Sequence, residues 1–241
     1  MADHQQERPG EPLGGADRRG FLKGTAAAAL GAGAAAVAGP ASAAAAERTH
    51  PDGLPPVGAE IPCSCLAVNT PLRIRTSLVT VDFRGGIKVR VETNPDDPEN
   101  SVRLRVVGHR VSAELPGGDS ADTSAGTITI EQNDVDVTPE SVLRLTQKYP
   151  PRYEQVMVLR FTMTIDQPDE VLRRAGVRSP KAYEPLVLET KNPAVLVGTV
   201  TQFPPRGDVY RLQNPVDLVL PDDPDTVIAT IEEFPVKVGG L

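Results

Sequence analysis

His109 is the one histidine that a folded domain of this 241-residue chain would hold, since His4 and His50 lie in segments that read as leader and arm. A hydroxyl nucleophile needs a base that titrates near neutrality, and here that base would be His109. Ser120 lies 11 residues downstream, across the Pro116-Gly117-Gly118 turn. With Asp119 or Asp122 to orient the imidazole, Ser120 as nucleophile and the backbone N–H groups of Gly117-Gly118 facing an oxyanion, the parts of an ester hydrolase are present. The chain has no Gly-x-Ser-x-Gly elbow, and Gly, Asp and Ser are also ordinary turn residues. The residues around it favour His109 as a polar strand residue or a satisfied hydrogen-bonding imidazole, next to Gly108, which signals a bulge or a close backbone approach.

Cys63-Ser64-Cys65 holds both cysteines. One intervening residue makes a small strained ring, so the pair reads as a disulfide or redox pair, more reducible than a structural bridge. A soft metal such as Cu(I) would need further ligands, and two inert thiols are the remaining alternative. Two acidic turns resemble each other, Asn94-Pro95-Asp96-Asp97-Pro98-Glu99 and Leu220-Pro221-Asp222-Asp223-Pro224-Asp225. Their carboxylates, Asp96, Asp97, Asp222 and Asp223, are the candidate ligands for calcium, the one cofactor this sequence suggests. Neither turn has EF-hand spacing, and hairpin turns explain both.

These residues must be positioned by strands. Ile87, Val89 and Val91 alternate with Lys88, Arg90 and Glu92, and Val102, Leu104 and Val106 with Arg103 and Arg105, the period of a half-buried strand. Leu72 to Phe83 reads as one long strand with a bulge, and Arg84-Gly85-Gly86 as a tight turn. Proline, 24 residues of the chain, punctuates the apolar runs, and no βαβ pattern or solenoid period is present. Residues 168–176, Pro168 to Gly176, form the best helix candidate. The expected fold is all-β: a single antiparallel β-sandwich with one short helix. Its core would include Val79, Val81, Val89, Val91, Val102, Leu104, Val158, Ile165, Val197 and Ile228.

Ahead of the domain stands Asp17-Arg18-Arg19-Gly20-Phe21-Leu22-Lys23, followed by an Ala/Gly-rich run to Val37 and the small residues Ala41-Ser42-Ala43-Ala44. This is the pattern of a twin-arginine export leader. The expected organisation is a signal peptide over residues 1–46, an extended Pro-rich arm over 47–62 and a β domain over 63–241. Export through the twin-arginine translocase would place the folded protein outside the cell. The apolar run is too short and too weakly hydrophobic for a membrane span, so no transmembrane segment is expected in the mature chain. A net charge of −7 without a basic cluster argues against nucleic-acid binding.

The layout resembles the small secreted cholesterol esterases of actinobacteria. The likeness rests on the Arg18-Arg19-Gly20-Phe21-Leu22-Lys23 leader, on Leu54-Pro55-Pro56-Val57-Gly58 before Cys63-Ser64-Cys65, on the Val-rich body and on the missing elbow. It implies a secreted carboxylic-ester hydrolase acting on sterol or lipid esters, and it assigns no catalytic residue. The residues alone favour a non-enzymatic extracellular module that binds a lipid, a polysaccharide or a partner protein, and the resemblance is what turns the expectation to the hydrolase.

Overall fold

A computed structural model describes residues 53–115, 126–134, 136–167 and 184–240. The expected leader, the start of the expected arm, residues 116–125 with Ser120 and Asp119, and the 168–176 helix candidate lie outside these residues. Four strands are long: β1 (Glu60–Ile74), β2 (Ser77–Thr93), β3 (Ser101–Glu114) and, after two shorter ones, β6 (Arg152–Ile165). The shorter strands are β4 (Thr127–Asp134), β5 (Val142–Gln147), β7 (Leu186–Thr190), β8 (Ala194–Val200), β9 (Arg206–Leu212), β10 (Val216–Leu220), β11 (Asp223–Ile231) and β12 (Val236–Gly240).

All pairings are antiparallel, as the alternation predicts, and the two faces of the expected sandwich are continuous: the sheet closes on itself. At one end of the long strands β4, β7, β10 and β11 complete the ring, with Leu72 of β1 opposite Ile231 of β11. At the other end β5, β8, β9 and β12 complete it, with Cys63 opposite Gly240. The result is an up-and-down barrel of eight staves, four of them unbroken and four made of two short strands end to end. Closure leaves no edge strand exposed for pairing with other chains.

Proline marks the interruptions. Each broken stave carries one at its gap: Pro139 between β4 and β5, Pro193 between β7 and β8, Pro215 between β9 and β10, and Pro235 between β11 and β12. A proline has no N–H to give to a ladder, so each of these positions lacks a rung; Pro62 and Pro71 within unbroken β1 show that such a loss weakens a ladder without by itself ending a strand.

The barrel interior is filled by one alternating set of side chains, Leu72, Phe83, Leu104, Ile130, Met163 and Leu218 among those fully buried. Phe83 and Phe234 meet edge to face, centroids 5.7 Å apart. Eight staves enclose just enough space for such packing. Most of the expected core residues are inside. Three depart from this: Val197 falls on the outward parity of β8 and is only half-buried, Val158 is buried on the outward parity of β6, and Val79 points inward but is only half-buried.

Two turns differ from expectation. Leu72 to Phe83 is not one strand but a hairpin, turning at Arg75-Thr76 with Arg75 at φ 50°. Neither residue is a usual turn former, so composition gave no signal there. Gly85-Gly86, read as a turn, instead lies in the middle of β2. A Cβ at Gly85 would sit 2.0 Å from the Arg110 carbonyl oxygen, so the glycine permits a close approach of β2 to β3.

Candidate functional site

A bulge decides where His109 points. Val89 pairs with Val106 and Lys88 with Gly108, leaving Val107 as an extra residue in β3. Before the bulge the inward residues are Val102, Leu104 and Val106; after it they are His109, Val111 and Ala113. Without that extra residue the period of two would place His109 on the solvent face. Gly108, beside the bulge, has open space where a Cβ would stand, so it tolerates rather than requires the absence of a side chain.

The imidazole is 8% exposed and its Nδ1 has no hydrogen-bond partner. It lines a cavity of about 10 Å³ with Ile130, Leu159, Phe161, Leu196 and Phe234, and every other lining side chain is also apolar. Burial pushes its pKa down from 6.5 to about 4, because the charged form would lose its hydration with no opposite charge to replace it. At neutral pH His109 is therefore a neutral hydrogen-bonding group in apolar surroundings. Among the described residues no hydroxyl, thiol or carboxylate lines the cavity with it. Ser120 and Asp119, its expected partners, lie outside the described residues.

Val216 forms part of the cavity wall, and it also lines an outer cleft of about 300 Å³. That cleft lies where two neighbouring staves break, between Asn192-Pro193 and Asn214-Pro215. Val216 is thus the residue that the interior cavity and the surface cleft share. No sequence motif marks this arrangement, although the repeated Asn-Pro pairs were its available signal.

A second opening occurs at the β4–β5 break. β3 pairs with β4 from Arg110 onward and with β5 up to Arg103, which leaves its middle without a ladder neighbour on that side. Side chains patch the gap. Gln132 Nε2 donates to the Val106 carbonyl at 2.8 Å, and Ser141 Oγ accepts from the Val158 N–H at 2.8 Å. Over the patch lies a cavity of about 170 Å³ walled by Arg103, Arg105, Asp136 and Glu140.

The remaining candidates do structural work. Cys63 and Cys65 are both free and buried, on successive inward positions of β1. In an extended strand such positions lie nearly two full residue rises apart, beyond easy bonding distance, so the expected pairing is not formed. Burial raises both thiol pKa values, that of Cys65 to about 12 with Cys63 adding to the effect. The acidic turns stand at opposite ends of the barrel, one joining β2 to β3 and the other β10 to β11, so Asp96 and Asp97 cannot share an ion with Asp222 and Asp223. Asp97 Oδ1 accepts from the Asn100 backbone N–H and Nδ2 at 3.3 and 3.1 Å, and Asp96 lies 3.6 Å from Arg103. Among the described residues no group of three or more His, Cys, Asp or Glu gathers to hold a metal ion. In the first turn Asp97 thus serves the turn itself and Asp96 faces Arg103.

The fold and the site define a closed antiparallel β-barrel with one unpaired imidazole nitrogen in an apolar interior. No protein-family model matches the chain, and no curated protein matches it. Among solved structures it is similar to DynF from the dynemicin biosynthesis pathway of Micromonospora chersina, with 18% identity, a TM-score of 0.57 and coverage of 78% of this chain and 83% of that one. At this identity the likeness is one of fold.

Proposed function

We propose that the protein is an exported β-barrel that binds a small, largely apolar molecule carrying one hydroxyl or carbonyl, held at His109. The observation that carries this reading is the unpaired Nδ1 of a deeply buried imidazole in an otherwise apolar cavity. A buried polar atom without a partner costs about 1–3 kcal/mol, and a ligand that supplies the partner recovers it. Water is a poor occupant, because it needs two or more polar contacts and the cavity offers one. The cavity alone holds no molecule of useful size, so binding would require Val216 to move aside and join it to the outer cleft. The leader carries the export part of the reading.

The test uses the mature chain with cyclohexanol and methylcyclohexane as probes, followed by calorimetry and by the imidazole nitrogen resonances of His109. Cyclohexanol should bind saturably, and His109→Leu should weaken it about tenfold while leaving methylcyclohexane unchanged, the loss of one buried hydrogen bond. Absence of saturable binding by either probe would overturn the proposal. Release of fatty acid from a sterol ester by the mature protein, abolished in His109→Gln, would replace it with the hydrolase that the sequence resemblance suggests.

A further inference from the structure

We infer that the opening at the β4–β5 break is a second binding site, independent of the interior one, and that its ligand is a neutral polyhydroxylated molecule such as a sugar unit of a polysaccharide. Two polar atoms at this opening are buried and unpaired, Gln132 Oε1 and Arg105 Nε. Their identities are fixed by their surroundings. Gln132 donates through Nε2 to two carbonyl oxygens, of Val106 at 2.8 Å and of Asp134 at 2.7 Å. Carbonyls only accept, so the amide nitrogen must face them and the amide oxygen must be the free atom. Arg105 is held by Asp136 through Nη2 at 2.5 Å, with Glu92 3.9 Å from Nη1, and its Nε–H remains unused. The opening is therefore bordered by one fixed acceptor and one fixed donor, both covered in the unbound protein, so that a ligand reaches them as the exposed rim around Asp136 and Thr138 gives way.

A hydroxyl both donates and accepts, so adjacent hydroxyls on one ring answer this pair, whereas an ether, an amine cation or a carboxylate answers only half of it. Charge balance points the same way. Arg103 is paired with Glu140 and Arg105 with Asp136, so the charge of each guanidinium is already balanced and neither adds net attraction for an anion. Glu92 adds one further acid, which makes the lining slightly negative and unfavourable to carboxylates and phosphates. Val137, half-buried at the rim, supplies an apolar contact for the C–H face of a ring. The space, about 170 Å³, suits one ring rather than a chain, and the exposed Asp136, Thr138 and Glu140 at the rim leave the rest of a polymer in solvent.

The experiment titrates the mature protein with glucose, maltose, cellobiose, glucuronate and glucosamine while following the side-chain N–H signals of Gln132 and Arg105. At least one neutral sugar should shift both signals saturably at millimolar concentration. Arg105→Lys, which keeps the charge facing Asp136 but lacks the Nε–H, should weaken binding at least tenfold. Thr138→Trp, a change on the exposed rim, should block the opening and abolish binding; it also serves if Arg105→Lys fails to fold. Binding by no neutral sugar would overturn the inference. So would neutral-sugar binding that both variants leave unchanged, or glucuronate binding as tightly as the neutral sugars. Cyclohexanol binding at His109 should be the same in both variants, so failure here leaves the interior reading standing, and the converse.

Discussion

Acid should destabilise this barrel through a single imidazole. The His109 pKa falls from 6.5 to about 4 because burial strips the charged form of water, and no charged side chain lines the cavity to offset this. Between those two values the unfolded chain takes up a proton at this position and the folded chain does not. Stability therefore declines as the pH falls through that window and the decline from this group ends near pH 4. At ~1.4 kcal/mol per pKa unit the drop amounts to about 3 kcal/mol, a large share of the stability of an ordinary domain. His109→Leu removes the titration and keeps a similar volume. Near neutral pH it should be as stable as the parent or better by about 1 kcal/mol, since an unpaired buried nitrogen is gone. Urea unfolding followed by far-ultraviolet circular dichroism, repeated between about pH 7 and about pH 4, gives both curves. Carboxylates that titrate in the same range are common to both proteins and cancel in the difference. That difference should shift by about 3 kcal/mol in favour of His109→Leu as the pH is lowered. Parallel curves would refute the reasoning, for they would mean that the folded protein accepts the proton at His109 as readily as the unfolded chain.

Four further outcomes follow from the packing and the leader. Gly85→Ala should cost more than ~3 kcal/mol or prevent folding, because its Cβ would meet the Arg110 carbonyl at 2.0 Å, whereas Gly108→Ala, facing open space, should change the urea midpoint little. Tyr210→Phe should lose about 1–3 kcal/mol, since Tyr210 Oη donates to Gln155 Oε1 at 2.6 Å in the core and the amide oxygen would be left unpaired. Native protein should resist a thiol reagent at mildly alkaline pH and expose two reactive thiols only in denaturant, Cys63 and Cys65 both being buried with raised pKa values. Rapid labelling of the folded protein would contradict that burial. Replacing Arg18 and Arg19 by Lys should keep the chain inside the cell with its leader attached, as a blot of cell and medium fractions would show.

The strands were legible because one face of each is buried, and burial on one face writes a period of two into the residues, as in Ile87 to Glu92 of β2. What a local period cannot carry is phase over distance. His109 stands on the inward face only because Val107 is inserted, and nothing in Val106-Val107-Gly108 announces on which side of β3 the extra residue will act. The same limit hid the role of Gly85, whose absent Cβ answers to the Arg110 carbonyl, 25 positions away in the chain. Asp96 and Asp222 looked alike because turns select the same residues wherever they occur; that they cap opposite ends of the barrel is a property of the pairing order.

The prolines join these two levels. Closing eight staves into a ring removes the edges, but it also removes any ordinary route to the interior, since an unbroken wall of paired strands is continuous. Pro193 and Pro215 break two adjacent staves at one height, and the outer cleft lies there, with Val216 lining both it and the His109 cavity. Pro139 breaks another stave, and Gln132 and Ser141 fill the missing ladder with side-chain hydrogen bonds, leaving the amide oxygen unpaired. On the proposed function, the prolines at three of the four breaks, Pro139, Pro193 and Pro215, stand where the wall admits a ligand. If so, mending a break should close a site without unfolding the barrel: Pro215→Val, which restores a ladder donor, should leave the urea midpoint unchanged or raised and should weaken cyclohexanol binding at His109. Unaltered binding in a well-folded Pro215→Val protein would show that the break is incidental to access and that ligands reach the imidazole by another path.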